Sequence, residues 1–233
     1  MKTLSHIFVS MLMLVITGSK WGVDYKKAGT GILHNREIVS ATRHVTEIEE
    51  TNIGTIDIQP YGSFPDNLIR EAEAGILKMY KLKVVILKPI ALPAAAFYAP
   101  RSRYRAEKLL DDLEKHLSPE SAKIIGLTIK DISTTKNEIE DWGIFGLGTL
   151  SGSACVVSTF RLRAHHASDV LLKERLIKVI NHEIGHTLGL SHCTHTNCLM
   201  EDGKGSIDTV DREDGKLCAE CAKQVKAYLR NPN

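Results

Sequence analysis

The sequence lacks several features that would assign it to a particular class of protein. It has no long basic run, no internal repeat and no low-complexity tract. Lys and Arg number 30 against 28 Asp and Glu, which gives a net charge of +2. This balance argues against a nucleic-acid-binding protein, which needs clustered positive charge. The missing repeats argue against a solenoid or a similar array.

The sequence also lacks an apolar run of the roughly 18 residues that a membrane-spanning helix needs. The apolar stretch Ile7–Ile16 is shorter, and it lies between a Met-Lys start and the small residues Thr17-Gly18-Ser19. Such a pattern is typical of a secretory signal. We therefore predict that residues 1–19 form a signal peptide and that the protein is exported, either secreted or periplasmic. The alternatives are an uncleaved N-terminal anchor or a buried strand, with a cytoplasmic location.

What remains has the composition of a globular protein. Hydrophobic residues make up 43% and charged residues 25% of the 233 residues, far from a disordered composition. One compact domain is favoured at this length. Residues 20–52 are polar and are interpreted as a leader or linker, so the predicted domain covers residues 53–233.

Local patterns predict strands and helices along this domain. The predicted strands are Ile53–Ile58, Leu82–Leu87, Ile124–Ile129 and Ala154–Phe160, and the predicted helices are Pro65–Tyr80, Ser102–Leu117, Asp169–Leu188 and Leu217–Leu229. Strands and helices alternate in the first half of the domain. The second half is a long helix, an irregular cysteine-rich stretch and a final helix.

The most informative segment runs from His182 to His192 and reads HEIGHTLGLSH. His182 and His186 lie four residues apart on the long predicted helix, so their side chains project from the same face. Neutral imidazoles are good zinc ligands. The apolar stripe of this helix falls on nearly the opposite side, at Ile177, Ile180, Ile184 and Leu188. The stripe can pack on a sheet while the histidines face a cleft.

Three further residues complete a catalytic constellation. Glu183 follows the first histidine, where it can reach a zinc-bound water and act as its general base. Gly189 lies where the helix must stop, and glycine can take the positive φ of a sharp turn. That turn can bring His192 back to the metal as the third ligand. Three histidines leave the open coordination position that a catalytic zinc needs.

The alternative interpretation is a helix with incidental histidines. Five fixed residues at set spacing argue against chance. Three other histidines, at positions 165, 166 and 195, match no part of the motif, and Ser191 beside the third ligand is given no role.

Four cysteines form two close pairs, Cys193 with Cys198 and Cys218 with Cys221. Two such pairs favour a closed tetrahedral zinc site that would tie the loop after the long helix to the final helix. The alternative is two disulfides, which export would favour. Cys155 lies in a valine-rich strand and is predicted to be a small core residue.

Together the histidines, cysteines and Met200 follow the pattern H-E-x-x-H-x-x-G-x-x-H-C-x4-C-x-M-x17-C-x-x-C. Over about forty residues this pattern resembles that of the archaemetzincin family of metzincin-type zinc metalloproteases. Further upstream the sequence is compatible with the same family at Leu92-Pro93, Phe97, Arg101, Tyr104, Val156-Val157-Ser158 and Arg161-Leu162.

The resemblance implies an α+β fold, a zincin-like single catalytic domain with a mixed sheet, packed helices and a cleft above the long helix. It implies that Met200 belongs to a tight turn beneath the catalytic metal. It also implies two zinc ions per chain, one catalytic and one structural. Some metzincins place a Tyr two residues after this Met, where the present chain has Asp202.

We therefore predict a zinc-dependent peptidase that acts on peptide or protein substrates, most simply as a monomer. The other functions considered are a non-catalytic zinc-binding interaction module and a zinc hydrolase of a small non-peptide amide. The strand Ala154–Phe160 is predicted to form the rim of the cleft, where an extended substrate could add to a sheet edge. No cysteine precedes Cys155, which argues against latency through a zinc-blocking cysteine.

Overall fold

A computed structural model describes residues 54–231 of the chain. The predictions for residues 1–19 and 20–52, and for Ile53, fall outside the described residues. Within residues 54–231, no helix is long and apolar enough to cross a membrane.

The described residues form two sheets and five α-helices. The strands are β1 (Thr55–Pro60), β2 (Lys83–Ile86), β3 (Phe97–Tyr98), β4 (Arg103–Arg105), β5 (Ser121–Thr128), β6 (Ile132–Lys136), β7 (Ile139–Ile144), β8 (Gly146–Gly148) and β9 (Ala154–Ser158). The helices are α1 (Asp66–Tyr80), α2 (Ala106–His116), α3 (Asp169–Thr187), α4 (Ile207–Arg212) and α5 (Ala219–Arg230). Short 3-10 turns lie at Ala94–Ala96, Ala99–Arg101 and Arg161–His166.

The larger sheet has the strand order β2-β1-β5-β9-β8. Its first four strands are parallel, and β8 runs antiparallel to β9. Side chains alternate across the sheet: Ile125 and Leu127 of β5 face one core and Ile124 faces the other. The first core is shared with α1, α3 and α5, and the second with α2. The result is the mixed sheet with packed helices that the resemblance implied.

The smaller sheet has the order β3-β4-β6-β7 and was not predicted. Its strand β4 occupies the start of the predicted helix Ser102–Leu117, so that boundary is wrong and α2 begins at Ala106. The cause is a set of contacts with residues that are distant in the sequence. Arg103 forms ion pairs with Asp131 and Asp141 at 2.7 and 2.9 Å, and β4 pairs with β3 and β6.

The long helix α3 matches its predicted range to within one residue at its C-terminal end. Ser168 caps its start by accepting the backbone N–H of Leu171, as a serine at this position commonly does. Arg175 is 1% exposed and forms a bidentate pair with Asp211. It also donates to the carbonyl oxygens of residues 162 and 164, so α3, α4 and the 3-10 turn are tied together.

The predicted cleft rim is corrected by the sheet order. Strand β9 pairs with β5 on one edge and β8 on the other, so a substrate cannot add to it. The outermost strand on this side is β8. Its two glycines belong to a glycine-rich stretch that the sequence patterns did not identify as a strand.

Candidate metal centres and active-site cleft

The three motif histidines converge at one point. The ligand atoms of His182, His186 and His192 all lie within 4.8 Å of one another. His182 and His186 come from successive turns of α3, and their Nε2 atoms are 3.1 Å apart. The chain reverses after α3 through Gly189, whose φ is +86°, so the predicted positive φ is confirmed. This reversal carries His192 back toward the pair.

Hydrogen bonds fix which nitrogen of each α3 histidine carries the proton. The Nδ1 atoms of His182 and His186 lie 2.7 Å from the carbonyl oxygens of Leu199 and Leu190. A carbonyl only accepts, so Nδ1 must donate and Nε2 keeps its lone pair. Burial is the largest cause that lowers the pKa of His182, to about 4, and the nearby His186 lowers it further. Burial also lowers the pKa of His186, so both rings are neutral near pH 7.

This donor set fits a zinc ion. Two nitrogen lone pairs only 3.1 Å apart repel unless a cation binds both. Nitrogens held tetrahedrally at about 2.0–2.1 Å from zinc are about 3.3 Å apart. The separation of the two Nε2 atoms therefore matches one edge of a zinc coordination tetrahedron.

Met200 packs beneath this histidine cluster. It is fully buried, and a Cβ added to Gly185 of α3 would lie 2.5 Å from its sulfur. Only glycine at this helix position allows so close an approach. The backbone turns tightly here, since the N–H of Glu201 donates to the carbonyl oxygen of Cys198 at 2.8 Å. The tight turn implied for Met200 is present.

Glu183 lies between α3 and the edge strand β8. It is 7% exposed, and burial raises the pKa of its carboxyl to about 8, against a smaller lowering by the backbone N–H of Gly148. A Cβ on Gly146 would lie 2.8 Å from the Oε1 atom of Glu183. Because both residues of β8 that face the helix are glycines, the strand backbone passes directly over the glutamate.

A cavity of about 310 Å³ opens beside these residues. His182, Glu183 and His192 line it together with Gly146 and Leu147 of β8. Residues 201–205, which follow Met200, also line it. The cavity is the candidate active-site cleft, and two of the three histidines lie on its lining.

The four motif cysteines form a second cluster. Their Sγ atoms all lie within 4.8 Å of one another, and those of Cys193 and Cys218 are 3.8 Å apart. Sulfurs bound tetrahedrally at about 2.3 Å from zinc are also about 3.8 Å apart. All the cysteines, which lie within residues 54–231, are free. The disulfide alternative is thus not formed in this structure, and the donor set fits a closed zinc site.

The start of α5 favours the thiolate form of one of these cysteines. Cys218 is the residue before the helix, and the backbone N–H of Cys221 is the main cause that lowers its pKa to about 7. Thiolate is the form that binds metal. Cys155, by contrast, is buried in β9, where burial raises its pKa, and it is the small core residue predicted.

Comparison with known proteins identifies the family. A model of peptidase family M54 matches residues 64–227, a stretch that contains every candidate ligand. The chain belongs to peptidase family M54. An archaemetzincin from Halobacterium salinarum is 33% identical over 177 residues, which cover 73% of this chain and 98% of that protein. Another, from Haloarcula marismortui, is 32% identical with the same coverage.

Two crystal structures of archaemetzincins share the fold of this M54 chain. The structure from Archaeoglobus fulgidus has a TM-score of 0.62 and 32% identity, and covers 73% of this chain and 99% of that one. The structure from Methanopyrus kandleri has a TM-score of 0.66 and 29% identity, and covers 76% and 96%. The protein is therefore a zinc metallopeptidase, and its substrates are peptides or proteins. Family membership speaks against the non-catalytic interaction module.

The histidines of this M54 peptidase that match no part of the motif lie outside the histidine cluster. His195 lies beside the cysteines, with its Nδ1 atom 3.3 Å from the Sγ atom of Cys193, and not beside the histidine cluster. Within the described chain, His165 and His166 belong to neither cluster.

The sequence patterns missed the contribution of Gly146 and Gly148. A glycine inside a strand often marks close backbone approach, and that signal could have revealed them.

Proposed function

We propose that this M54 peptidase hydrolyses peptide bonds in the cleft, with Glu183 as the general base. The observation that carries the proposal is a buried carboxyl beside three converging histidines. Its pKa of about 8 lies near neutral pH, where a catalytic base is most effective. The proposed ligands of the catalytic zinc are His182, His186 and His192.

A zinc ion held by these three histidines would supply Lewis acidity, which lowers the pKa of water toward about 7 and polarises a carbonyl group. The protein contributes the positioning. The Nδ1 hydrogen bonds of His182 and His186 to backbone carbonyls hold both rings with their Nε2 atoms close together, where they would bind the metal. Their lowered pKa values keep them in the neutral form that binds metal.

Glu183 moves the proton. Its carboxylate takes a proton from the attacking water and then returns it to the nitrogen of the leaving amine. Burial favours these two proton transfers because a desolvated carboxylate holds a proton more readily than an exposed one. The backbone N–H of Gly148 opposes this effect, so the group is still able to ionise.

We further propose that the substrate binds to β8. This strand pairs with β9 on one side and has no strand on its other side among residues 54–231. An extended peptide can add to such an edge through backbone hydrogen bonds. The edge lies directly over Glu183, so a scissile bond bound there would face the base and the histidine cluster.

The cysteine cluster is proposed to hold a second, structural zinc, giving two per chain. It joins the segment after α3 to the start of α5. Cys193 follows His192 directly, and its N–H donates to the carbonyl oxygen of Met200 at 2.7 Å. A zinc at this position would brace both the third histidine ligand and the turn beneath the histidines.

The test is cleavage by Glu183→Gln at unchanged zinc content. Removing a catalytic base lowers kcat by about 10²-fold or more, so cleavage of a peptide library should fall by that factor while the zinc per chain stays the same. Glu174→Gln, an exposed residue on the same helix, is the control and should cleave like the wild type. Equal cleavage by both variants would remove Glu183 as the base. Hydrolysis of small amides but of no peptide would favour the small-amide hydrolase.

A further inference from the structure

The cleft has an acidic group that the proposed mechanism leaves unused. Glu213 lines the same cavity as His182, Glu183 and His192 and is only 5% exposed. It follows α4 directly, where the fold of the chain turns its side chain inward. A buried carboxylate in a substrate cleft needs a partner, because an unpaired charge is costly to bury.

The hydrogen bonds of Glu213 leave one carboxylate oxygen available. Its Oε2 atom accepts the backbone N–H of Gly215 at 2.6 Å. Its Oε1 atom accepts no hydrogen bond from the described part of the chain, and the nearest cation, the Nζ atom of Lys178, is 3.9 Å away. Burial raises the pKa of this carboxyl, as expected for a charge that is only partly compensated.

Lys178 is not free to serve as a full partner. Its Nζ atom donates to the backbone carbonyl oxygens of Val210 at 2.8 Å, of Glu213, and more weakly of Asp211 at 3.4 Å. An ammonium has three protons, so these carbonyls account for all of them. Lys178 therefore caps the end of α4 and makes no hydrogen bond to the Oε1 atom of Glu213, a residue that lines the cavity.

Two other acids that line the cavity, Glu201 and Asp202, have partners in the protein. Glu201 is paired with Arg212 at 2.8 Å. Asp202 accepts the backbone N–H of Lys204 at 2.9 Å, and the Nζ atom of Lys136 lies 5.3 Å from the centre of the Trp142 ring. Compared with Glu201 and Asp202, Glu213 is the acid that is buried, and its Oε1 atom accepts no hydrogen bond from the described residues.

The remaining walls of the cavity are mainly apolar. They are formed by Trp142, Ile144, Phe145, Leu147, Val179, Leu199 and Val210. A long side chain with an apolar stem and a cationic end suits such a site, because its methylene groups can lie on the walls while the charged end reaches an acid. Lysine and arginine are the amino acids with this form.

We propose that Glu213 makes the cleft select a lysine or arginine side chain next to the scissile bond. The proposal rests on the peptidase function proposed above and adds its substrate class. The cationic end binds the Oε1 atom of Glu213, and the stem packs on the apolar walls. Glu213 is therefore a specificity-determining residue, separate from the base Glu183.

The first test compares cleavage of a peptide library in which each position beside the scissile bond is varied. The wild type should cleave peptides with Lys or Arg at one of these positions at least tenfold faster, in kcat/KM, than the same peptides with Leu or Met. Glu213→Gln keeps the size of the side chain and an oxygen to accept the N–H of Gly215. It should abolish that preference while cleavage of the Leu and Met peptides stays within about twofold. Asp214→Asn removes the same charge one residue away, at an exposed position, and should keep the preference.

The second test needs no cleavage. Zinc-loaded Glu183→Gln protein is titrated calorimetrically with two peptides that differ only in Arg or Leu beside the central bond. The Arg peptide should bind at least tenfold more tightly, and the added change Glu213→Gln should remove the difference. Equal binding of both peptides, or a wild-type preference for apolar side chains on both sides of the bond, would overturn the role of Glu213. The peptidase function would fail separately, through the absence of any cleavage by wild type.

Discussion

The edge strand β8 offers a direct test of how closely the active-site helix and the substrate edge must approach. A Cβ added to Gly148 would lie 2.5 Å from the backbone oxygen of Glu183 and 3.2 Å from the Cβ of His186. The first partner is helix backbone, which cannot rotate aside as a side chain can. Gly148→Ala therefore forces β8 and α3 apart.

The size of the effect follows from this distance. Relieving the contact requires a separation of about 0.5–1 Å, since carbon and oxygen need about 3.0–3.5 Å. Overpacking of this kind costs about 1–3 kcal/mol of stability. A misplacement of about 1 Å between catalytic groups and substrate can cost about 10²-fold in rate. Gly148→Ala should thus lower kcat/KM by about 10- to 100-fold.

The assay is peptide cleavage together with thermal unfolding and zinc content. Zinc content should be unchanged, because the added methyl would touch the backbone oxygen of Glu183 and the Cβ of His186 and not the Nε2 atoms of the histidines. Gly203→Ala is the comparison for stability, since its added methyl would meet nothing closer than 3.9 Å, and its Tm should stay unchanged. Wild-type activity in Gly148→Ala would refute the close packing of β8 on Glu183, the proposed base.

Two further predictions concern the buried ionisable groups of α3. Arg175→Met breaks the ion pair with Asp211. The side chain of Arg175 is 2% exposed and that of Asp211 is 32% exposed, so the free energy of unfolding should fall by about 3 kcal/mol, the lower end of the range for a buried pair. Arg212→Met, at an exposed position, should leave Tm unchanged, and an equal loss of stability in both variants would contradict a stabilising role for the Arg175–Asp211 pair. In the metal-free protein, burial raises the pKa of Glu183 from 4.5 to about 8. The folded state then binds this proton more tightly than the unfolded state, so Glu183 contributes a fall in the free energy of unfolding as pH rises from about 4.5 to about 8. The lowered pKa values of His182 and His186 act in the opposite direction below 6.5 in both proteins, so the difference in urea midpoint between wild type and Glu183→Gln should fall over this range.

The sequence predicted the helices and strands that are marked by local signals or by one strong hydrophobic periodicity. The four predicted strands and four predicted helices all have counterparts in the structure, apart from residues outside the described range. Helix α3 was predicted to within one residue because Ser168 caps its start and Gly189 ends it with positive φ. The members of the histidine cluster and of the cysteine cluster were predicted together, because coordination geometry, rather than the rest of the fold, fixes their spacing along the sequence.

The unpredicted parts depend on contacts between distant residues. Strand β4 has helix-compatible residues, but Arg103 is held by acids about 30 and 40 positions away. The hairpin of β6 and β7 gave no clear apolar alternation, since most of its residues are at least partly exposed. The position of β8 at the sheet edge, and of Glu213 in the cleft, follows only from the assembled topology.

The central claim is that three histidines and four cysteines hold one zinc each. Elemental analysis of zinc per chain tests it on wild type, on His182→Ala and on Cys221→Ser. The account predicts two zincs in wild type and one in each variant, with cleavage lost in His182→Ala. A single zinc in wild type that His182→Ala removes, or two zincs retained in either variant, would contradict it.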